Sequence, residues 1–244
     1  VRDKGVITIG TDATYAPSEF LDADGKTVIG FDVDLFNAVA AALNLRTDWR
    51  PTKFTDILPG VETGKYAVGV SSFTINPERM ARTTMVSYFS AGTQLATRAG
   101  SNITPDTACG KKVAVQTGTV QVDDITTRSQ KCVQAGLPTI SIDQFQALSE
   151  ATSAVVSGKD DAVLADSPAC AYAVHRLGGK LVLAGRIYDS APYGYVLPKD
   201  QAAFGAVLIE ALRQLIADGT YARILAKWGV ETGAITTSAV ARAG

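Results

Sequence analysis

Two ionised side chains stand where a polar ligand could be gripped, Arg79 and Asp166. Arg79 closes the run Ser71-Ser72-Phe73-Thr74-Ile75-Asn76-Pro77-Glu78-Arg79, which follows a short apolar segment, Tyr66 to Val70, that reads as a strand. A guanidinium can hold a carboxylate with two parallel hydrogen bonds. Asn76-Pro77-Glu78 has the marks of a helix start: a capping side chain, proline at the first helical position and an acid in the first turn. A polar strand-to-helix loop is also a common surface feature, and the nine residues alone do not separate the two readings. Asp166 ends Ala162 to Ala165 and precedes Ser167-Pro168. It can accept from an ammonium, with help from the Thr74 hydroxyl and a backbone carbonyl near Ser72, or it can be a plain helix cap.

Two further strand ends carry polar residues, Thr11-Asp12 with Tyr15, and Gln116-Thr117-Gly118-Thr119. The helix opening at Thr119 offers backbone N–H groups to an anion. Tyr15 and Phe54 could sandwich an apolar stem, with Asp12 taking a donor or cation at its far end; both rings also fit an ordinary core. In parallel α/β sheets such ends fall on one side. Four of them lining one cleft would meet a carboxylate and an ammonium together, which describes an α-amino acid. Other chemistries fare worse. The Gln116–Thr119 loop lacks the Gly-Lys-Ser/Thr ending of a phosphate loop. His175 is the single histidine, and its place between Val174 and Arg176, late in a helix, supports neither a catalytic triad nor a metal site. Met80 and Met85 read as packing residues. No cofactor is implied.

The elements that must position these residues alternate between strand and helix. Strands are expected at Val6–Gly10, Leu45–Trp49, Tyr66–Val70, Lys112–Val115, Thr139–Ile142, Ala162–Ala165, Leu181–Leu183 and Tyr193–Leu197. Helices are expected from Phe31, over Phe54–Thr63, up to Cys132, over Asp143–Ser157, from Ser167, over Gln201–Asp218 and over Tyr221–Trp228. Asp22-Ala23-Asp24-Gly25 reads as a tight turn. Asp32 and Asp34 lie in a first helical turn, where the dipole alone accounts for them. The class is α/β with mainly parallel sheets. Two segments without a long helix after them, near Ser90–Leu95 and Ile187–Tyr195, look like two crossover strands between lobes. Lobe one would be residues 1–91 plus 194–244 and lobe two 92–193, with a small, polar tail over 231–244 expected to fray.

The 244 residues are 46% hydrophobic and carry a net charge of −1, which gives no nucleic-acid footprint. No apolar run is long enough to span a bilayer, and no signal-peptide pattern is visible. Cys109 precedes the strand at Lys112, and Cys132 ends the helix that follows. Strand out and helix back cover similar lengths, so the two cysteines should meet in a disulfide, which points to an oxidising compartment. Cys170, between two alanines, reads as a small buried hydrophobe.

Five motifs in order resemble one family: Gly10-Thr11-Asp12-Ala13-Thr14-Tyr15-Ala16-Pro17; Gly30-Phe31-Asp32-Val33-Asp34-Leu35; the run ending Pro77-Glu78-Arg79; Asp161-Ala162-Val163-Leu164-Ala165-Asp166-Ser167-Pro168; and Asp218-Gly219-Thr220-Tyr221 with Lys227-Trp228-Gly229. The chain is similar, over roughly residues 4–230, to the extracytoplasmic solute-binding proteins of ATP-driven polar amino-acid importers. The resemblance implies a two-lobed, hinged periplasmic-binding-protein fold of type II, a monomer that closes on its ligand and docks on a membrane permease. It implies a periplasmic or cell-surface location, with a lipid anchor on an upstream cysteine. It gives Arg79 and Thr119 the ligand carboxylate, Asp166, Ser72 and Thr74 its ammonium, and Tyr15, Phe54 and Asp12 its side chain, with Ser71 and Gln116 alongside. Ser18 departs from a common aromatic, and Gln116 replaces a basic residue of some relatives. Asp12, Glu19 and Gln116 near the side chain, with no Lys or Arg, favour a neutral amide or a cation over glutamate or aspartate. The alternative on this scaffold is a dehydratase acting on prephenate-like acids, for which Glu19 would be the general acid.

Overall fold

A computed structural model of the chain describes residues 5–241; Lys4, and Arg242 to Gly244 at the end of the tail, lie outside the described residues. In chain order the strands are β1 (Val6–Thr11), β2 (Thr14–Tyr15), β3 (Glu19–Leu21), β4 (Val28–Ile29), β5 (Arg46–Pro51), β6 (Val68–Gly69), β7 (Thr83–Arg98), β8 (Lys112–Gln116), β9 (Ser141–Phe145), β10 (Ala162–Asp166) and β11 (Leu181–Pro198). The helices are α1 (Phe31–Ala42), α2 (Phe54–Glu62), α3 (Pro77–Arg82), α4 (Val120–Gln134), α5 (Leu148–Ser157), α6 (Ser167–Arg176), α7 (Ala202–Ala217) and α8 (Thr220–Trp228).

The chain divides into two compact units. Unit one is Val1–Ala13, Pro17–Ala91 and Ala191–Gly244; unit two is Thr14–Ala16 and Gly92–Ser190. The chain leaves unit one within β7 and returns within β11. These limits differ from the expected ones in two places. Ala191 to Tyr193 belong to unit one because Ile75 N–H donates to Pro192 O (2.8 Å) and Thr74 bridges Tyr193. Tyr15 belongs to unit two because its ring packs with Ala96, Ala114, Leu148 and Val163.

In unit one β1 pairs in parallel with β5, from Val6↔Arg46 to Thr11↔Pro51, and with β6 on its other edge. The end of β11 closes that sheet antiparallel to β6, at Val196↔Gly69. The Asp22–Gly25 turn joins β3 and β4 as an antiparallel hairpin, with Asp24 accepting from the backbone of Lys26 and Thr27. Helices α1, α7 and α8 cover the sheet around Ile7, Ile9, Phe36, Tyr88, Tyr195 and Leu212. Asp34 holds the α1 motif to the α8 motif: its carboxylate accepts from Lys227 Nζ (2.7 Å) and Trp228 Nε1 (2.8 Å). Gly30 permits the start of α1. Its φ is 140°, and a Cβ there would lie 2.0 Å from the Ser18 carbonyl. That close approach lets Phe31 N–H reach Pro17 O and Asp32 N–H reach Ser18 O.

In unit two β8 pairs in parallel with β9 and β10, while β10 runs antiparallel to β7. The sheets are therefore mixed rather than mainly parallel. β7 brings the chain into unit two and follows no crossover helix there, so nothing obliges it to run parallel. α5 and α6 cover one cluster around Val155, Val163 and Cys170, and α4 covers another around Val113, Ile125 and Leu164.

Three local expectations change. Asp143 to Phe145 are strand, not helix, because the β8–β9 ladder runs on to Gln116↔Phe145. Leu181 to Pro198 form one strand rather than two. The tail is docked rather than frayed over the described residues. Val240 pairs with Val86, Ser87 N–H donates to Ala239 O (2.9 Å), and Ala241 N–H donates to Met85 O (2.9 Å). Gly233 sits so close on Phe89 that a Cβ would be 2.0 Å from the ring.

Cys109 and Cys132 form the expected disulfide, with Cα atoms 5.7 Å apart, and Cys170 is a buried free thiol. The bridge closes a loop over a sequence separation of 23. Thiol titration of the denatured, unreduced protein should find one reactive group. Cys109→Ala with Cys132→Ala should lower unfolding free energy by about 3 kcal/mol, read by urea unfolding.

Candidate functional site

Unit one gathers Asp12, Phe54, Ser71, Ser72, Thr74 and Arg79. The Ser71–Ser72 corner is fixed from below. Ser71 Oγ accepts from Asp12 N–H (3.0 Å) and donates to Glu19 Oε1 (3.0 Å). Ser72 has φ 49°, a left-handed conformation that costs a non-glycine residue about 1 kcal/mol or more. It is held there by Asp32, whose Oδ2 accepts from Ser72 N–H (3.1 Å) and Oγ (3.4 Å) and from Tyr88 Oη (2.6 Å). The two serine hydroxyls therefore point into the protein, and what the corner can offer a donor is its backbone carbonyl together with Thr74. Asp32 corrects the reading that the helix dipole alone explains it. Its carboxylate is fully buried and organises the loop.

Asn76 caps α3, its Oδ1 accepting from Arg79 N–H (2.9 Å), and Pro77 opens the helix. Arg79 is only 8% exposed. Its Nη1 donates to Thr74 O (2.8 Å), and its guanidinium lies 5.5 Å from the Phe54 ring and 5.2 Å from Phe73. Those rings stack at 4.5 Å. Phe54 was expected beside a ligand; Phe73, its partner in shaping Arg79, is an addition. Aromatic rings attract the guanidinium, and together with the bond to Thr74 O they fix its position.

Unit two gathers Tyr15, Gln116, Thr119 and Asp166. Tyr15 Oη donates to Asp166 Oδ2 (2.8 Å), and Gln121 Nε2 donates to Asp166 Oδ1 (2.8 Å) and to Thr93 Oγ1 (3.2 Å). Asp166 Oδ atoms do not cap α6, so the plain-cap reading fails. Burial first, and then the Asp166 carboxylate, push the Tyr15 phenol well above its usual range, which keeps it a neutral donor. Tyr15 thus positions a carboxylate. Gln121 was missed: it sits in the first turn of a polar helix, with no pattern to mark it. Gln116 Nε2 donates to Gln146 O (3.1 Å), and Thr119 Oγ1 turns back to Gln116 O (2.8 Å) rather than capping α4.

The family now becomes explicit, because one family description spans the chain from residue 7 to 231, covering both units and every residue above. The chain belongs to the bacterial extracellular solute-binding proteins, family 3. An arginine-binding protein of Corynebacterium glutamicum is 36% identical over 96% of this chain and 77% of its own length. A lysine/arginine/ornithine-binding periplasmic protein of Escherichia coli is 29% identical over 91% of this chain and 86% of its own. Among solved structures, an ancestral arginine-binding protein bound to glutamine superposes with a TM-score of 0.84 at 30% identity, covering 93% of this chain and 99% of that one. The fold is the α/β periplasmic-binding-protein fold, and the family is one of binding proteins rather than enzymes. Glu19 fits that: the general acid a dehydratase would need is fully buried and accepts from the Ser71 hydroxyl. Among the described residues of this solute-binding protein no His, Cys, Asp and Glu group could hold a metal, and no helix is long and apolar enough to cross a membrane.

Tyr15→Phe removes a neutral donor to the Asp166 carboxylate. It should cost about 1.5–3 kcal/mol in urea unfolding, the range for a hydrogen bond to a charged group. Adding Asp166→Asn should recover part of that loss; strict additivity in this double-mutant cycle would show that the contact carries no energy.

Proposed function

We propose that this protein captures a polar or cationic L-α-amino acid outside the cytoplasm and hands it to the permease of an ATP-driven importer. The observation that carries the reading is a pair of buried, positioned charges: the Arg79 guanidinium beside the stacked Phe54 and Phe73 rings in unit one, and the Asp166 carboxylate receiving the Tyr15 phenol and the Gln121 amide in unit two. Arg79, with the backbone at Thr119, takes the ligand carboxylate. Asp166, with the Ser72 corner and Thr74, takes the ammonium. Tyr15 and Phe54 contribute ring surface, and Asp12 and Gln116 face the ligand side chain, with Ser71 fixing Asp12 rather than touching ligand.

The side-chain class follows from charge. Asp12 and Gln116 suit a cation or an amide, and a buried acidic side chain without a cationic partner would cost several kcal/mol. The names carried by the relatives, for arginine, lysine and ornithine binders and for a glutamine complex, fall in the same class.

Calorimetry against arginine, lysine, ornithine, histidine, glutamine, glutamate and aspartate should give heats for cationic or amide members. Tight glutamate binding with silence from the others would overturn the class. Arg79→Ala and Asp166→Asn should each weaken the preferred amino acid by roughly 2–5 kcal/mol, the cost of truncating one partner of a buried charge pair. Undiminished affinity in both would remove these residues from the site.

A further inference from the structure

Beneath the Ser71–Ser72 corner of unit one lie two carboxyl groups that bind no ligand in the reading above. Glu19 and Asp32 are both 0% exposed. One oxygen of each is engaged: Glu19 Oε1 by the Ser71 hydroxyl, and Asp32 Oδ2 by Ser72 N–H, Ser72 Oγ and Tyr88 Oη. The other oxygens, Glu19 Oε2 and Asp32 Oδ1, are buried without a hydrogen-bond partner. The chain brings the two acids together: Asp32 N–H donates to the carbonyl of Ser18, the residue before Glu19 (3.0 Å), and their hydroxyl partners Ser71 and Ser72 are consecutive. Carboxylates have no proton to donate, so two neighbouring buried acids, each with an unsatisfied oxygen, can satisfy one another only when one of them is protonated.

We propose that Glu19 and Asp32 share one proton and that this acid–carboxylate pair is the positioning device of the ligand corner. Glu19 acts through the Ser71 hydroxyl, which also holds Asp12 N–H at the end of β1, and Asp32 acts through the left-handed Ser72. The proposal rests on the reading that this corner meets the ligand ammonium.

The titratable groups that face the pair agree in sign. Asp12 acts on Glu19, while Tyr88, Tyr195 and Tyr221 face Asp32, and all are acids. Burial raises both carboxyls, Asp32 to about 6 and Glu19 well above its usual range. The folded protein therefore keeps a proton that the unfolded chain releases. The corresponding stability is complete below the unfolded carboxylate range and is lost as pH rises through the folded value of Glu19. Losing the proton sets two buried like charges against each other directly under Ser71 and Ser72.

Infrared spectroscopy of the ligand-free chain at neutral pH should show a protonated carboxyl C=O band that Glu19→Gln abolishes; absence of the band in the wild type overturns the proposal. Gln reproduces the neutral acid, since its amide can donate to Asp32 and its oxygen can accept from Ser71. With L-arginine and L-glutamine as calorimetric probes, Glu19→Leu should weaken binding about tenfold or more, and Glu19→Gln should restore most of it. Equal losses in the two variants overturn the positioning role. The wild-type thermal midpoint should fall between about pH 5 and 8 by more than that of Glu19→Gln; parallel curves overturn the shared proton. Should the wild type bind neither probe, the ligand reading fails, while the band and the melting curves still decide the pair.

Discussion

Asp32 is the constraint on which unit one depends. A carboxylate with no exposed surface depends on hydrogen-bond partners, and Oδ2 of this one accepts from groups far apart in sequence: Ser72 after β6 and Tyr88 in β7. Its own place is set by Gly30, whose missing Cβ lets the start of α1 lie against Pro17 and Ser18. One side chain thereby ties three segments together: the start of α1, the Ser71–Ser72 corner and β7. The Gly30–Leu35 motif then needs no contact with ligand to matter for the site. Its second acid, Asp34, makes a different and more exposed tie, to Lys227 and Trp228. Such ion pairs contribute little alone, but this one fixes α8 against α1.

Unit two manages its buried carboxylate by other means. Asp166 receives the Tyr15 phenol and the Gln121 amide. Neutral donors stabilise an anion without cancelling its charge, whereas a cation would cancel it. The same argument explains why Thr14 to Ala16 belong to unit two although their neighbours in sequence belong to unit one. Tyr15 is anchored where its hydroxyl is needed.

Much of this was legible in the residues. Asn76-Pro77 announced a helix start, and the cap is present. The disulfide followed from the matched lengths of β8 and α4. Asp166 and Arg79 stood out as charges at strand-to-helix corners. What escaped had physical reasons. Asp32 was masked by a sufficient local explanation, because an acid in a first turn needs no further cause. Gln121 lies in a helix whose polar sequence gives no sign of which face is buried. The second half of β9 reads as helix locally, and only its ladder with β8 makes it strand. The tail looked free because its small, polar residues offer little apolar area, yet backbone pairing with β7 and the contact of Gly233 on Phe89 dock it.

The buried acids beneath the Ser71–Ser72 corner and the buried Asp166 are handled in different ways. Glu19 and Asp32 are read as neutralising each other in part by sharing a proton, so their remaining charge is spent on Ser72 and Tyr88. Such a pair presents little field to a ligand and a great deal of geometry. Asp166 in unit two is oriented instead by the Tyr15 phenol and the Gln121 amide. On the proposed reading, what the Ser72 corner adds is steric, and it persists only while the acids below the corner hold their proton.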